Sequence, residues 1–222
     1  MEKGTSELIA GTARLVELIG MREGPLAFFY TEDKPEGYQP TEEDEHCVIG
    51  VVRHARRGET LILDKEHCRC RGGAYYLGFA PPAPGIPEFV STGSPGRPGE
   101  HYKKSPELVR AHQQEHPVQP APARYAVFKP VSALREGEEP AVVICFATPD
   151  ELSGLVGLAG YARKQDAVVC PFGAGCGTMV AHPLAEGTSL DHHYPGGAHG
   201  KQQASHEGQN DCWNGQKIHR PP

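Results

Sequence analysis

Glycine and proline limit this chain more than any other residues. It holds 27 glycines and 21 prolines among 222 residues, more than a fifth of the total. Periodic segments must therefore be short, and turns and loops must separate them. The length allows one full core or two small domains. Hydrophobic residues are 38% and charged residues 23%, so the apolar share is below the globular mean. No apolar run reaches the ~18 residues of a membrane-crossing helix. The start, MEKGTSELIAGTARLVELIG, lacks the basic opening and compact apolar run of a signal peptide. A net charge of -6 disfavours a general nucleic-acid binder. These features point to a cytoplasmic protein, with no membrane or nucleic acid as partner.

Along the chain, helix and strand signals alternate. Leu8, Thr12, Leu15, Val16 and Ile19 recur at helical spacing, with Ser6 as N-cap and Gly20 as stop. Residues 25–31, PLAFFYT, read as a strand. A proline-bearing acidic loop follows, in which Thr41, Glu43 and Asp44 suit a helix start. CVIGVVRHA, from Cys47, reads as a helix, ETLIL as a strand, and Asp64 as a cap for a helix or turn within EHCRCRGGAYYLGF. The stretch 81–99 reads as an irregular loop or a lid. SPELVRAHQQEH is a short helix starting at Ser105. Strands are expected at 125–131, 141–147 and 167–170. A helix is expected over 149–164, its glycines 154, 157 and 160 weakening it or allowing close packing on the sheet.

From Ala185 onward aliphatic periodicity almost vanishes. This stretch has five of the twelve histidines, the only tryptophan and no recognisable strand. It reads as a disordered or aberrant tail, with weak nickel or zinc binding through HH and its other histidines as the alternative. The fold class expected is α/β (α+β-like): one domain over 1–184, a mixed sheet packed with short helices, and a non-globular tail over 185–222.

The chemistry is centred on cysteine. Cys47, Cys68, Cys70, Cys145, Cys170, Cys176 and Cys212 are odd in number, and no export signal accompanies them. Free, metal-bound or redox-active thiols are expected rather than a disulfide scaffold. Cys145, inside AVVICFA, reads as a small buried hydrophobe. In HCRCRGG (67–73) Cys68 and Cys70 can reach one ion from a loop. Arg69 and Arg71 can lower a thiol pKa, and Gly72 and Gly73 let backbone approach a ligand. In CPFGAGCGTM (170–179) Cys176 sits in a turn whose glycines, Gly173, Gly175 and Gly177, can form an anion nest or serve only a tight turn. Cys47, near His46 and His54, reads either as a core thiol or as a further ligand. Cys47, Cys68, Cys70 and Cys176 are thus the candidate metal ligands. Gly173, Gly175, Gly177, Arg69 and Arg71 are the candidate ligand-binding residues. Zinc or an iron–sulfur cluster would suit four thiols, although the spacing matches no common zinc finger or ribbon. No G-x-S-x-G, H-E-x-x-H or P-loop motif occurs, and the acid pairs Glu42/Glu43 and Glu138/Glu139 read as solvated faces.

Three stretches resemble the family called domain of unknown function 169, an uncharacterised archaeal and bacterial group. They are CVIGVVRHARRGETLIL, CRCRGGAYYLGF, and FKPVSAL…EPAVVICFATPDELSGLVGLAGY with FGAGCGTMVAHPL. The resemblance covers about residues 5–184. It implies a cytoplasmic α/β protein and no established activity. By position Cys47, Cys70 and Cys176 look like the family's cysteines. The family would be expected to continue past 184 with further strand and helix, and the tail departs from this. The functional expectation is a cysteine-ligated metal or iron–sulfur site with a redox or small-molecule role, the small molecule entering beneath 81–99. The alternative is a non-enzymatic small-molecule or anion-binding module with structural thiols. A thiol enzyme with Cys176 as nucleophile is a third reading.

Overall fold

The computed structural model describes residues 4–44, 46–162, 164, 175–187 and 202–205, the last four by backbone only. The chain opens with helix α1 (Gly4–Ile19) and strand β1 (Leu26–Thr31). Two short helices, α2 (Val48–Val51) and α3 (Arg53–Arg56), are joined through helical Val52 and lead to β2 (Leu61–Leu63). Next come α4 (Arg71–Tyr76), α5 (Ile86–Val90), β3 (Gly93–Ser94), β4 (Arg97–Pro98) and α6 (Pro106–Glu115). Strand β5 (Tyr125–Pro130), a 3-10 turn at Val131–Ala133, β6 (Val142–Phe146) and α7 (Pro149–Tyr161) complete the central part. A π-helical segment, Gly177–Ala181, runs into α8 (His182–Gly187), and β7 covers Gln202–Ser205.

The main sheet has the order β2-β5-β1-β6-β7. The first four strands are antiparallel to their neighbours, and β7 is parallel to β6. The sheet is therefore mixed, as expected. Alternation along each strand divides the core into two faces. Leu26, Phe28, Leu61, Leu63, Phe128, Val142 and Ile144 point to the face covered by α2, α3 and α4. Ala27, Phe29, Val127 and Val143 point to the other, where Leu8 and Ile9 of α1 pack. Further along that face Cys145 and Leu155 meet Leu15, Val16 and Ile19. Phe28 and Phe128 are cross-strand partners with ring centres 4.8 Å apart. Each is fully buried, which contributes roughly 2–3 kcal/mol.

Several sequence expectations are corrected in detail. Ser6 lies inside α1 instead of capping it, whereas Gly20 does end it. Gly20 has φ +72°, and Met21 N–H donates to Val16 O at 3.0 Å, the bond of a Schellman stop. Stretch 81–99 is irregular only in part, over 81–85. It forms α5 and a two-residue hairpin, β3–β4, whose turn uses Gly96 at φ +76°. Helix α5 packs on α6, where Arg110 pairs with Glu88. In α7 Gly154 does allow close approach, but to α1: a Cβ there would stand 2.8 Å from Ile19 Cδ1. The helix starts from a Thr148–Glu151 capping box. Leu158, on the same helix, is half exposed. Strand β7 falls in the tail, where the pattern shows none. An edge strand offers unpaired backbone groups, so an extended segment can join it without apolar alternation. The strand expected at 167–170 lies outside the described residues.

Glu138 is not a solvated carboxylate. Its Oε2 accepts from Lys129 Nζ at 2.8 Å and from Arg135 N–H at 2.7 Å. Lys129 sits on central strand β5 and is 4% exposed. Glu42 is exposed and pairs with Arg69 at 3.1 Å.

Candidate functional site

On the α2–α4 side of the sheet, four cysteines from three distant segments come together. Cys47 is the residue before α2, and Cys70 the residue before α4. Both are partly exposed, whereas Cys68 and Cys176 are buried. Gly73 N–H donates to Cys70 Sγ at 3.2 Å. The Cys47 thiol also hydrogen-bonds Cys70, and backbone N–H groups of Val48 and Gly72 point there too. Cys68 Sγ lies 3.9 Å from Cys70 O, as a weak donor to it. Cys68, Cys70 and Cys176 lie close enough for their charges to interact.

This arrangement separates the four thiols by protonation. The hydrogen bond from Cys47, and then the amides of Gly73, Val48 and Gly72, hold Cys70 below the ordinary thiol range despite burial. The same bond keeps the proton on Cys47, whose pKa is raised, with burial adding to it. Burial, then the charges of Cys70 and Cys176, pushes Cys68 up to about 12. Burial, then Cys70, pushes Cys176 up to about 12. Cys70 is thus the thiol of the group most favoured to ionise. Cys145, alone in β6 on the far face, is pushed up to about 12 by burial and is a core residue, as expected.

Other expected contributors take different positions. Arg69 turns to Glu42, and Arg71 is an exposed first residue of α4. Thiol and amide donors favour ionisation of Cys70 instead. Gly177 lies under Tyr76, where a Cβ would meet the ring at 2.7 Å, and Gly175 lies 3.1 Å from Ile49 Cγ1 by the same measure. Cys176, expected in a turn, is helical and leads into the π-helical segment, and both glycines let this stretch pack on α4 and α2. Gly173 lies outside the described residues. His54 stacks on Tyr38, ring centres 3.9 Å apart, and faces Asp44 and Glu59. His46 lines a cavity of about 10 Å³ with Pro40, His67 and Cys68, room for about one water.

Asp64 caps the following turn, as expected, but the sequence reading gave no site role to it or to His67, Tyr30 and Tyr76. Asp64 Oδ1 bonds the His67 ring nitrogen Nδ1 at 2.7 Å and accepts from the N–H groups of Glu66 and His67. Burial works to raise the Asp64 pKa, and the bonds from His67 outweigh it. Tyr30 and Tyr76 have raised pKa values, chiefly through burial, with Cys68 acting on Tyr30 and Cys176 on Tyr76. The tyrosine pair after CRCRGG was the available signal for Tyr76. Nothing in the local sequence marks Tyr30.

Thr41 and Asp44 do not start a helix directly. The Asp44 carboxylate accepts from Tyr38 Oη, from Thr41 N–H at 2.7 Å and from Thr41 Oγ1 at 3.0 Å, closing the loop before Cys47. These bonds, Tyr38 first, hold its pKa down at about 2. The folded value lies below the unfolded one, so the contribution is complete above about pH 4 and is lost as pH falls towards 2. The melting temperature of the natural chain should fall more steeply between about pH 5 and 2 than that of Asp44→Asn. Parallel curves would show that the loop makes no such contribution.

Fold and site together define a mixed α/β protein with a converging thiol group on one face of its sheet. No helix of the described residues is long and apolar enough to cross a membrane. The model of the family described as DUF169, uncharacterised ArCR, matches residues 14–192, and the chain belongs to that family. The match begins later than the resemblance read from the sequence and runs somewhat past residue 184. No curated protein and no solved structure matches the chain.

Proposed function

We propose that the protein uses Cys47, Cys68, Cys70 and Cys176 to hold a soft metal ion or an iron–sulfur cluster in a reducing cytoplasm. The observation that carries this reading is that Cys68 and Cys176 lie near Cys70, whose sulfur already accepts from Cys47 and Gly73. As the side chains stand, no group of three or more His, Cys, Asp and Glu among the described residues is set to hold an ion. The bonded pair is the part in place, and Cys68 and Cys176 are the further donors beside it. A bound metal lowers thiol pKa values strongly, which would offset the burial that keeps these two protonated. The group would supply electron transfer or a binding point for a small molecule.

A second reading rests on the same pair: Cys70 as a single reactive thiol. It replaces Cys176 in that role, since Cys176 is buried and protonated. The anion-module alternative is weakened, because Gly175 and Gly177 face their own chain's side chains and Arg69 is paired.

The test is metal and acid-labile sulfide analysis of untagged protein purified without oxygen, beside Cys70→Ser and Cys176→Ser. Iron with sulfide, or zinc, is expected in the natural chain and should be lost from both variants. Unchanged metal content in both would overturn the reading. Metal-free protein whose Cys70 reacts with iodoacetamide at neutral pH far faster than the other thiols would favour the reactive-thiol reading instead.

A further inference from the structure

Cys47 and Cys70 meet as a pair of sulfurs from two distant segments. Each is the residue just before a short helix, and each has extended backbone: φ -74°, ψ 130° at Cys47 and φ -72°, ψ 114° at Cys70. The Cys47 thiol donates to the Cys70 sulfur, and the N–H groups of Val48 and Gly72 point to the same atom. The Gly73 N–H donates to it at 3.2 Å. Close packing makes this possible. A Cβ on Gly73 would stand 2.2 Å from Val48 Cγ2 and 3.2 Å from Cys70 Cβ, so the first turns of α2 and α4 touch there. Both cysteines are partly exposed.

The other described cysteines do not share this arrangement. Cys68 is buried, and its Sγ is turned to the Cys70 carbonyl oxygen, 3.9 Å away. Cys176 is buried, and Cys145 is buried on the far face of the sheet. A disulfide needs two sulfurs that can close to about 2.0 Å from backbones already near each other. A hydrogen-bonded sulfur pair has to close by only roughly 2 Å, and no third donor is needed. In a reducing compartment such a bond is transient, serving catalysis or redox sensing.

We propose that Cys47 and Cys70 form a reversible disulfide by exchange with small-molecule disulfides, giving the protein a dithiol–disulfide activity. The inference deepens the reactive-thiol reading and rests on it for the first step. In that step the Cys70 sulfur, its proton lost to solvent, attacks one sulfur of the external disulfide. The external S–S bond breaks, and one half leaves as a thiolate that takes up a proton. Cys47 then gives up its proton, and its sulfur attacks the Cys70 sulfur of the mixed disulfide, releasing the second half as a thiol. Two protein S–H groups and one external S–S bond become one protein S–S bond and two external S–H groups. Two electrons pass to the external disulfide, which is the oxidant. A small substrate suits the place, because both sulfurs are only partly exposed at the contact of two helix starts. An external dithiol reverses the sequence.

The test treats the full chain, purified reduced and without oxygen, with glutathione disulfide. Mass spectrometry of the intact protein and of its digest reads the products, and metal content is measured on the same sample. The natural chain should yield a peptide pair joined through Cys47 and Cys70, absent before treatment and parted again by dithiothreitol. Cys47→Ser, checked for fold by circular dichroism, should stop at the mixed disulfide, so the product shifts from a linked peptide to glutathione held on Cys70. No Cys47–Cys70 link in the treated natural chain would overturn the proposal, whatever metal the sample carries. So would a link from Cys70 to Cys68 or Cys176 in its place. Fast alkylation of Cys70 without a link to Cys47 would keep the reactive-thiol reading and overturn only this one. A folded Cys47→Ser chain with no glutathione on Cys70 would overturn exchange through that sulfur.

Discussion

Gly73→Ala should disrupt the thiol site although it removes none of its thiols. A Cβ at residue 73 would stand 2.2 Å from Val48 Cγ2 and 3.2 Å from both Val48 Cβ and Cys70 Cβ. Val48 is 2% exposed and β-branched, so it has no alternative rotamer in which to retreat cheaply. The first turns of α2 and α4 must then separate, and with them Cys47 and Cys70, which those turns carry. Overpacking of this kind costs about 1–3 kcal/mol. The larger effect is chemical. Without the Cys47 bond, the main contribution that lowers the Cys70 pKa is gone, and its reactivity at neutral pH should fall towards that of an ordinary thiol. Thermal melting and the pH profile of Cys70 alkylation measure the two effects. Val48→Ala added to Gly73→Ala should restore both in large part. An unshifted alkylation profile in Gly73→Ala would show that the two helix starts are not held in contact as described.

Removal of the Glu138 side chain should be the most destabilising change away from the thiols. Glu138→Ala leaves the Lys129 ammonium on a central strand with its charge uncompensated, and Arg135 N–H without its acceptor. Breaking a buried pair from one side costs about 3–5 kcal/mol. The lower end is expected here, because Glu138 keeps 19% of its side chain in solvent. Combining Glu138→Ala with Lys129→Met removes both charges, and most of the loss should be recovered. Urea unfolding of the three proteins checks the cycle. A loss in the single variant no larger than about 1 kcal/mol would place this pair with surface ion pairs.

How legible the site was can be judged residue by residue. The four thiols were readable as candidates because no export signal argues for a disulfide scaffold and Cys68, Cys70 and Cys176 stand beside arginines or glycines in turn-like segments. Their order of ionisation was not readable. The local pattern CRCR suggested that arginines would favour a thiolate, yet Arg69 pairs with Glu42 across the chain. The donors to Cys70 are backbone amides and a thiol 23 positions earlier. The glycines of the 175–177 turn looked like a cradle for an anion, and proved to be contact points for Tyr76 and Ile49. Glycine allows close approach of any group, and sequence does not say which group approaches.

Local sequence by itself determined the elements whose signals are local. The PLAFFYT and AVVICFA runs made buried strands, Gly20 stopped α1, and Thr148 with Glu151 capped α7. These depend on backbone preferences and on periodicity within a few residues. Tertiary structure alone decided which distant residues met. It set β1 between β5 and β6, turned Glu138 to Lys129, and made Cys70 the thiol most favoured to ionise among several similar cysteines. Ionisation depends on donors and burial within a few ångströms in space, and sheet pairing and core packing choose those neighbours from segments far apart along the chain.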